Sequence, residues 1–221
     1  ILRNAERLAA WQQQQGQVEL TDPAQQQHSS NSLAAELPEA STPIQRLIVA
    51  TKAYAAEPAV RSLLSRLPPD AEIILLQNGM GSQQAISQLL DTRRVYYASV
   101  TDGAWRPSAR QLIWAGHGQT LLGDPRQGPP PPWLADWQNR GLTVEWHQDI
   151  SAVLWRKLAI NCVINPLSVL HDCSNGELPA LAQDRLQELT AELQQLLTTV
   201  GTPVSLDILR TQLDRIIHQT A

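Results

Sequence analysis

Short apolar runs alternate with amphipathic segments in the first half of the chain. Residues 47–50 and 73–76 are uninterrupted apolar runs, which are typical of strands buried on both faces. Between them, apolar residues at helical spacing predict a helix that the following prolines end: Val60, Leu63, Leu64 and Leu67. A second helix is predicted to run to about Leu90. The alternation of strand and helix predicts a parallel α/β sheet.

The flanking regions have weaker patterns. Residues 4–15 predict a helix, whereas residues 21–43 lack an apolar period and are predicted to be an exposed connection with little structure. Residues 95–101, 111–115 and 119–123 are short β-like runs, the last two joined through Gly116, His117 and Gly118. They predict an antiparallel addition to the sheet. Residues 129–132 predict a stiff connector and residues 142–146 a last strand.

From Asp149 onwards the pattern is helical. Two apolar stripes, separated by Gly201, Thr202 and Pro203, comprise Leu186, Leu189, Leu193, Leu196 and Val200, and then Leu206, Leu209, Leu213 and Ile216. We therefore expect an α/β nucleotide-binding-type domain over residues 1–148, followed by a helical domain over residues 149–221.

Composition limits the classes of function. The 221 residues are 43% hydrophobic and carry a formal net charge of -4 without a run of Lys or Arg, which argues against a nucleic-acid partner. No uninterrupted apolar run approaches the roughly 20 residues of a membrane helix, and the start lacks the apolar core of a signal peptide. We expect a cytoplasmic protein with no membrane partner. Cys162 is expected in the core, and the scattered histidines predict no metal site.

One polar stripe interrupts the apolar segment that follows Asp149. Lys157, Asn161 and Asn165 are four residues apart, so they form a slanting row on a helix. Burying them without partners costs about 1–3 kcal/mol for each neutral group and more for the ammonium. The row therefore either faces a polar ligand, or has a structural role in which Lys157 pairs with a carboxylate and the asparagines hold loops.

Several separated motifs carry a resemblance to a known family. They are residues 51–54 (Thr-Lys-Ala-Tyr), 76–81 (Leu-Gln-Asn-Gly-Met-Gly), 114–116, 122–123, 154–167 and 175–178 (Asn-Gly-Glu-Leu). In this order they resemble the ketopantoate reductase family. The resemblance implies a partial Rossmann-type dinucleotide-binding domain followed by an all-helical C-terminal domain, as in 6-phosphogluconate-dehydrogenase-like proteins. It also implies reduction of 2-dehydropantoate, a small-molecule 2-oxo acid, with NADPH, by a monomer or homodimer.

The same resemblance assigns residues to roles. Lys157 is the expected catalytic lysine, and Asn161, Asn165 and Asn175 are the expected substrate-binding residues. Lys52 and Asn78 are expected near the nicotinamide and ribose of the cofactor. Arg3 corresponds to the arginine that binds the 2′-phosphate, which favours NADPH over NADH.

The sequence also departs from the family pattern. No G-x-G-x-x-G occurs in it, whereas the family has that turn upstream of the point that corresponds to Ile1. We therefore expect a chain truncated at both ends, with the first strand and the closing helices missing. Two alternatives remain open at this point, namely a reductase of another branched 2-oxo acid and a non-catalytic truncated remnant.

Overall fold

The computed structural model describes residues 1–219, so residues 220 and 221 of the expected second domain lie outside the described part. Contacts divide the chain into two units. The first comprises Ile1–Gln77 and Gly81–Ile150, and the second comprises Asn78–Met80 and the chain from Ser151. The loop Asn78–Met80 is thus inserted into the first unit in sequence, but it packs with the helices of the second.

The elements follow in chain order. Up to Ile150 they are α1 (Ala5–Gln13), β1 (Gln17–Asp22), β2 (Gln27–Ser32), β3 (Arg46–Val49), α2 (Ala53–Arg61), β4 (Glu72–Leu75), α3 (Ser82–Leu89), β5 (Arg94–Val100), β6 (Gly103–Trp105), β7 (Gln111–Gly116), β8 (Thr120–Gly123), α4 (Trp133–Asn139) and β9 (Val144–Trp146). They continue with α5 (Ile150–His171), α6 (Leu178–Leu181), α7 (Gln183–Thr199) and α8 (Leu206–Gln219). Short 3-10 helices span Leu64–Arg66 and Asn175–Glu177.

The main sheet of the first unit has the strand order β3-β4-β5-β8-β9. The strands β3, β4 and β5 are parallel, and the helices α2 and α3 provide the crossovers between them. Strand β8 is antiparallel to β5 and parallel to β9. The predicted α/β class, with an antiparallel addition and a following helical region, is therefore confirmed.

Strand β3 is not buried on both faces, and this prediction was wrong. Leu47 and Val49 are buried, but Ile48 between them is 49% exposed. The strand lies at the edge of its sheet and has only one covered face. In β4, the next strand inwards, Ile73, Ile74 and Leu75 are all buried.

A second, four-stranded sheet was not predicted. Strand β2 lies inside residues 21–43, which were expected to lack structure, and it pairs in antiparallel fashion with β1, most of which precedes that region. Strand β1 also pairs in parallel with β7. The sheet has the order β2-β1-β7-β6. Every residue of β2 is exposed, so no apolar alternation marks it in the sequence.

Residues 111–115 and 119–123, both expected in an antiparallel addition to one sheet, lie in two different sheets. Strand β7 belongs to the four-stranded sheet and β8 to the five-stranded one. Strand β7 instead pairs with the short β6, where Gly116 faces Gly103. The register of this pair shifts between Gly103 and Ala104, which marks an irregularity at the start of β6.

Helix α4 follows the proline-rich connector directly and was not predicted. Trp133 and Leu134 in it are buried, and the rings of Trp133 and Tyr96 are nearly perpendicular at a centroid distance of 5.6 Å. The helix is short and its core contacts come mainly from two residues, so its sequence lacks a helical apolar period.

Helix α5 supplies the core of the second unit. Ile160, Val163, Ile164 and Leu167 are buried with residues of α7 and α8, including Leu186, Leu197, Leu209 and Leu213. By length and composition the 22-residue helix α5 also meets the criterion for a membrane-spanning helix, with a mean hydropathy of 1.2 in an 18-residue window, although no such helix was predicted. This is weak evidence, because the core helix of a soluble protein meets the same criterion.

The opposite face of α5 is open. Cys162, Asn165, Pro166 and Val169 follow helical spacing along this face and are exposed. The expectation that Cys162 lies in the core was therefore wrong. The buried face of α5 contains residues on either side of it, such as Ile160 and Val163.

An acidic residue connects the ends of two neighbouring parallel strands, β1 and β7, in the four-stranded sheet. Asp22 is buried at the end of β1 and accepts hydrogen bonds from the backbone amides of Ala24 and Gln25. Its Oδ2 lies 2.9 Å from Nε2 of His117, whose ring stacks on Trp114. The hydrogen bond with His117 lowers the pKa of Asp22 despite the opposing effect of burial.

We predict that Asp22→Asn lowers the stability of the protein at neutral pH. Because the pKa of Asp22 is lowered in the folded state, its contribution is fully present above the ordinary value of about 3.9 and is lost as the pH falls through the folded-state value. Urea midpoints measured from about pH 7 to about pH 2 should therefore converge for the two proteins in acid. The exposed Asp70→Asn serves as the control, and equal midpoints for Asp22→Asn and the wild type at neutral pH would contradict the prediction.

Candidate active site

Lys157 on α5 contacts a residue that is remote in sequence. It is half-buried, and its Nζ donates a hydrogen bond to Oδ1 of Asn78 over 3.1 Å. Burial lowers the pKa of this lysine, because an ammonium loses hydration when apolar side chains surround it. The site therefore contains a partly desolvated cation that is held by a neutral amide.

The loop that carries Asn78 is shaped by two glycines. Gly79 and Gly81 have φ values of +85° and +102°, in the left-handed region that favours glycine. A Cβ at either position would meet no atom within 4 Å, so conformation rather than space requires glycine there. This turn leads from β4 directly into α3 and leaves Asn78 exposed next to Lys157.

The three asparagines predicted to bind substrate all lie in the second unit. Asn161 is half-buried on α5, Asn165 is exposed one turn later, and Asn175 is half-buried in the short 3-10 helix that follows α5. The row that starts at Lys157 thus becomes more exposed towards Asn165. This matches the drift of about 40° that four residues give on a helix.

Lys52 and Arg3, which were predicted to bind the cofactor, lie in the first unit. Lys52 is exposed after β3, where its carbonyl oxygen accepts a hydrogen bond from the backbone amide of Ala55 at the start of α2. Arg3 is exposed just before α1. Because β3 and β4 are parallel, the segment with Lys52 and the segment that leads to Asn78 leave the sheet at the same edge.

Two buried glutamines beside this edge were missed in the sequence. Gln77 is 3% exposed, and its Nε2 donates to the carbonyl oxygens of Val49 and Thr51 over 2.8 and 3.2 Å. Gln83 is 1% exposed and donates from Nε2 to the carbonyl oxygen of Gln77. A glutamine directly after an apolar strand was the only available signal, since its partners are remote in sequence.

Family models match both halves of the chain. The model described as Ketopantoate reductase PanE/ApbA matches residues 1–127, and the model described as Ketopantoate reductase PanE/ApbA C terminal matches residues 149–221. The chain is similar to 2-dehydropantoate 2-reductase of Vibrio cholerae, with 37% identity over 155 residues. That match covers 67% of this chain and 52% of the relative, so the chain spans about half the length of that relative.

Solved structures support the same fold. The chain is similar to 2-dehydropantoate 2-reductase from Porphyromonas gingivalis W83, with a TM-score of 0.80 and 17% identity over 97% of this chain and 76% of that chain. It is also similar to a D-mandelate dehydrogenase solved with NADH and anilino(oxo)acetate, with a TM-score of 0.79 and 17% identity over 97% of this chain and 70% of that chain. At these identities the similarity concerns the fold alone.

We predict that the pKa of Lys157 depends on its neighbour Asn78. Removal of the Oδ1 acceptor in Asn78→Ala should lower this pKa further, because a hydrogen bond to the ammonium favours the charged form. A carboxylate at the same place, in Asn78→Asp, should raise it. Titration of Lys157 by NMR, with the exposed Lys52 as internal control, measures both shifts, and the same pKa in all three proteins would contradict the prediction.

Proposed function

The chain belongs to the ketopantoate reductase family, and from this premise we propose that the whole protein reduces 2-dehydropantoate to pantoate with NADPH, as a step of pantothenate biosynthesis. The observation that carries the proposal is the half-buried ammonium of Lys157, which the amide of Asn78 holds without neutralising it. We further assign cofactor binding to residues 1–148 and substrate binding to residues 149–221.

Lys157 stabilises the oxygen of the ketone. As the carbonyl carbon is reduced, negative charge develops on its oxygen, and a nearby ammonium lowers the energy of that state most when little water competes. The ammonium then transfers a proton to the oxygen, which completes the hydroxyl group of the product. A pKa that burial has lowered makes this transfer easier.

Asn161, Asn165 and Asn175 orient the substrate. An asparagine amide can donate to a carboxylate and also donate to or accept from a hydroxyl group, and 2-dehydropantoate contains both groups. The increasing exposure from Asn161 to Asn165 suits a small polar molecule that enters from solvent and is held along one helix face. Their assignment rests on the family motifs together with this placement.

The residues at the strand ends fit a reduced dinucleotide. Lys52 and Arg3 are exposed cations, which suits an anionic ligand, and a Cβ added at Gly79 or Gly81 would meet only open space. Bound NADPH would supply the hydride for the carbonyl carbon. Lys52 and Asn78 would contact its nicotinamide half, and Arg3 would bind the 2′-phosphate.

Lys157→Ala in the whole protein should lower kcat with 2-dehydropantoate by about 100-fold to 10,000-fold, which is the range for loss of a general acid or of an oxyanion donor. The rate of NADPH consumption measures the effect. Arg156→Ala is the matched control, because Arg156 is the adjacent, half-buried cation and donates to Ala152 within its own helix.

Near-normal kcat in Lys157→Ala would contradict the assigned role. The substrate is tested separately, by comparing kcat/KM of the wild type for 2-dehydropantoate with the values for other branched 2-oxo acids. An equal or higher value for another acid would contradict the proposed substrate but not the role of Lys157.

Arg3→Ala should weaken the binding of NADPH but not that of NADH. Loss of a charge-assisted contact to the 2′-phosphate costs about 1.5–3 kcal/mol, so KM for NADPH should rise by about tenfold to 100-fold while KM for NADH stays nearly constant. The control is Arg61→Ala, which removes an exposed arginine that pairs with Glu57 within α2. A parallel rise of both KM values would contradict the assignment of Arg3 to the phosphate.

A further inference from the structure

One buried side chain links the two strand ends that border the proposed cofactor site. Gln77 follows β4, and its Nε2 donates to the carbonyl oxygens of Val49 and Thr51, at the end of β3 and directly after it. Thr51 precedes Lys52, and Gln77 itself precedes Asn78. The Gln77 side chain therefore connects the residue that precedes Lys52 with the residue that precedes Asn78, and we assign both Lys52 and Asn78 to the nicotinamide half of the cofactor.

The orientation of the Gln77 amide is fixed by its partners. Both groups that face it are carbonyl oxygens, which only accept hydrogen bonds, so the NH2 end must point towards them. The Oε1 end is consequently directed away, and it is buried without a hydrogen-bond partner among the described residues. Leaving a buried acceptor without a donor is costly, so the contacts of the NH2 end must outweigh this cost.

Gln83 holds the other side of the same turn. Its Nε2 donates to the carbonyl oxygen of Gln77 over 2.9 Å, and its Oε1 accepts from Oγ of Ser82. Gln83 lies in the first turn of α3, so this bond spans the glycine turn that carries Asn78. The turn, whose glycines give it conformational freedom, is thereby fixed at its base by two buried amides.

We propose that Gln77, assisted by Gln83, is a positioning residue for dinucleotide binding. It holds the segments that carry Lys52 and Asn78 in one arrangement before the ligand arrives, which reduces the entropy lost on binding. The identity of the ligand as a reduced nicotinamide dinucleotide rests on the proposed function. The positioning role itself rests on the hydrogen bonds of the two glutamines.

The test uses Gln77→Met in the whole protein. Methionine nearly preserves the volume and removes both hydrogen bonds, while the carbonyl oxygen of Val49 keeps its bond from the backbone amide of Leu76. Calorimetric titration with NADPH should show a Kd about tenfold higher than that of the wild type, because two loops must then be ordered on binding. Gln88→Met, an exposed glutamine on α3, is the matched control and should keep the wild-type Kd.

A merely structural role makes a different prediction. It lowers the unfolding temperature of Gln77→Met but leaves Kd unchanged at a temperature where both proteins are folded, and that result would overturn the proposal. If Gln77→Met does not fold, Gln83→Met removes only the second bond. A Kd about threefold higher than that of the wild type would then support the proposal, and an unchanged Kd would overturn it.

The outcome also separates this proposal from the proposed function. A wild-type protein that binds NADPH but does not reduce 2-dehydropantoate would refute the proposed reaction, while the ratio of the two Kd values still decides the role of Gln77. A wild-type protein that binds neither NADPH nor NADH would overturn both.

Discussion

The parallel pairing of β3 with β4 is the constraint on which the candidate site depends. Parallel register places the ends of both strands at one edge, so the segments with Lys52 and Asn78 start from neighbouring positions although these residues are 26 positions apart in sequence. Gln77 then uses the same edge, because the carbonyl oxygens of Val49 and Thr51 come within reach of its amide. An antiparallel arrangement would have put one of these segments at the far end of the sheet.

Helix α5 contributes to a hydrophobic core and also carries a charged side chain, that of Lys157. Its buried face packs against α7 and α8, and Lys157 lies at the border of that face, where it loses part of its hydration but reaches the amide of Asn78. Full burial would have made the ammonium too costly, and full exposure would have left its pKa at the ordinary value. The proposed catalytic role of Lys157 depends on this intermediate position.

The sequence predicted those features that depend on local periodicity. The apolar runs of β3 and β4 and the row of Lys157, Asn161 and Asn165 were all visible in it, and the family motifs gave each polar residue a role. The strands β1 and β2 were not visible, because backbone pairing rather than an apolar face holds β2. The hydrogen-bond partners of Lys157 and Gln77 could not be predicted from the sequence either, since a contact such as that of Lys157 with Asn78 joins residues 79 positions apart.

The two sheets also differ in the length of chain that connects their paired strands. Strands β1 and β2 are joined by a tight turn, with Asp22 opposite Gln27, and such hairpins form in about 1–10 μs. Strand β3 pairs with β4, with Arg46 opposite Glu72, across a longer connection that contains α2, and closing a longer loop costs more entropy. We therefore expect the polar hairpin to form early, and the edge that carries the candidate site to assemble late and to limit the rate of folding.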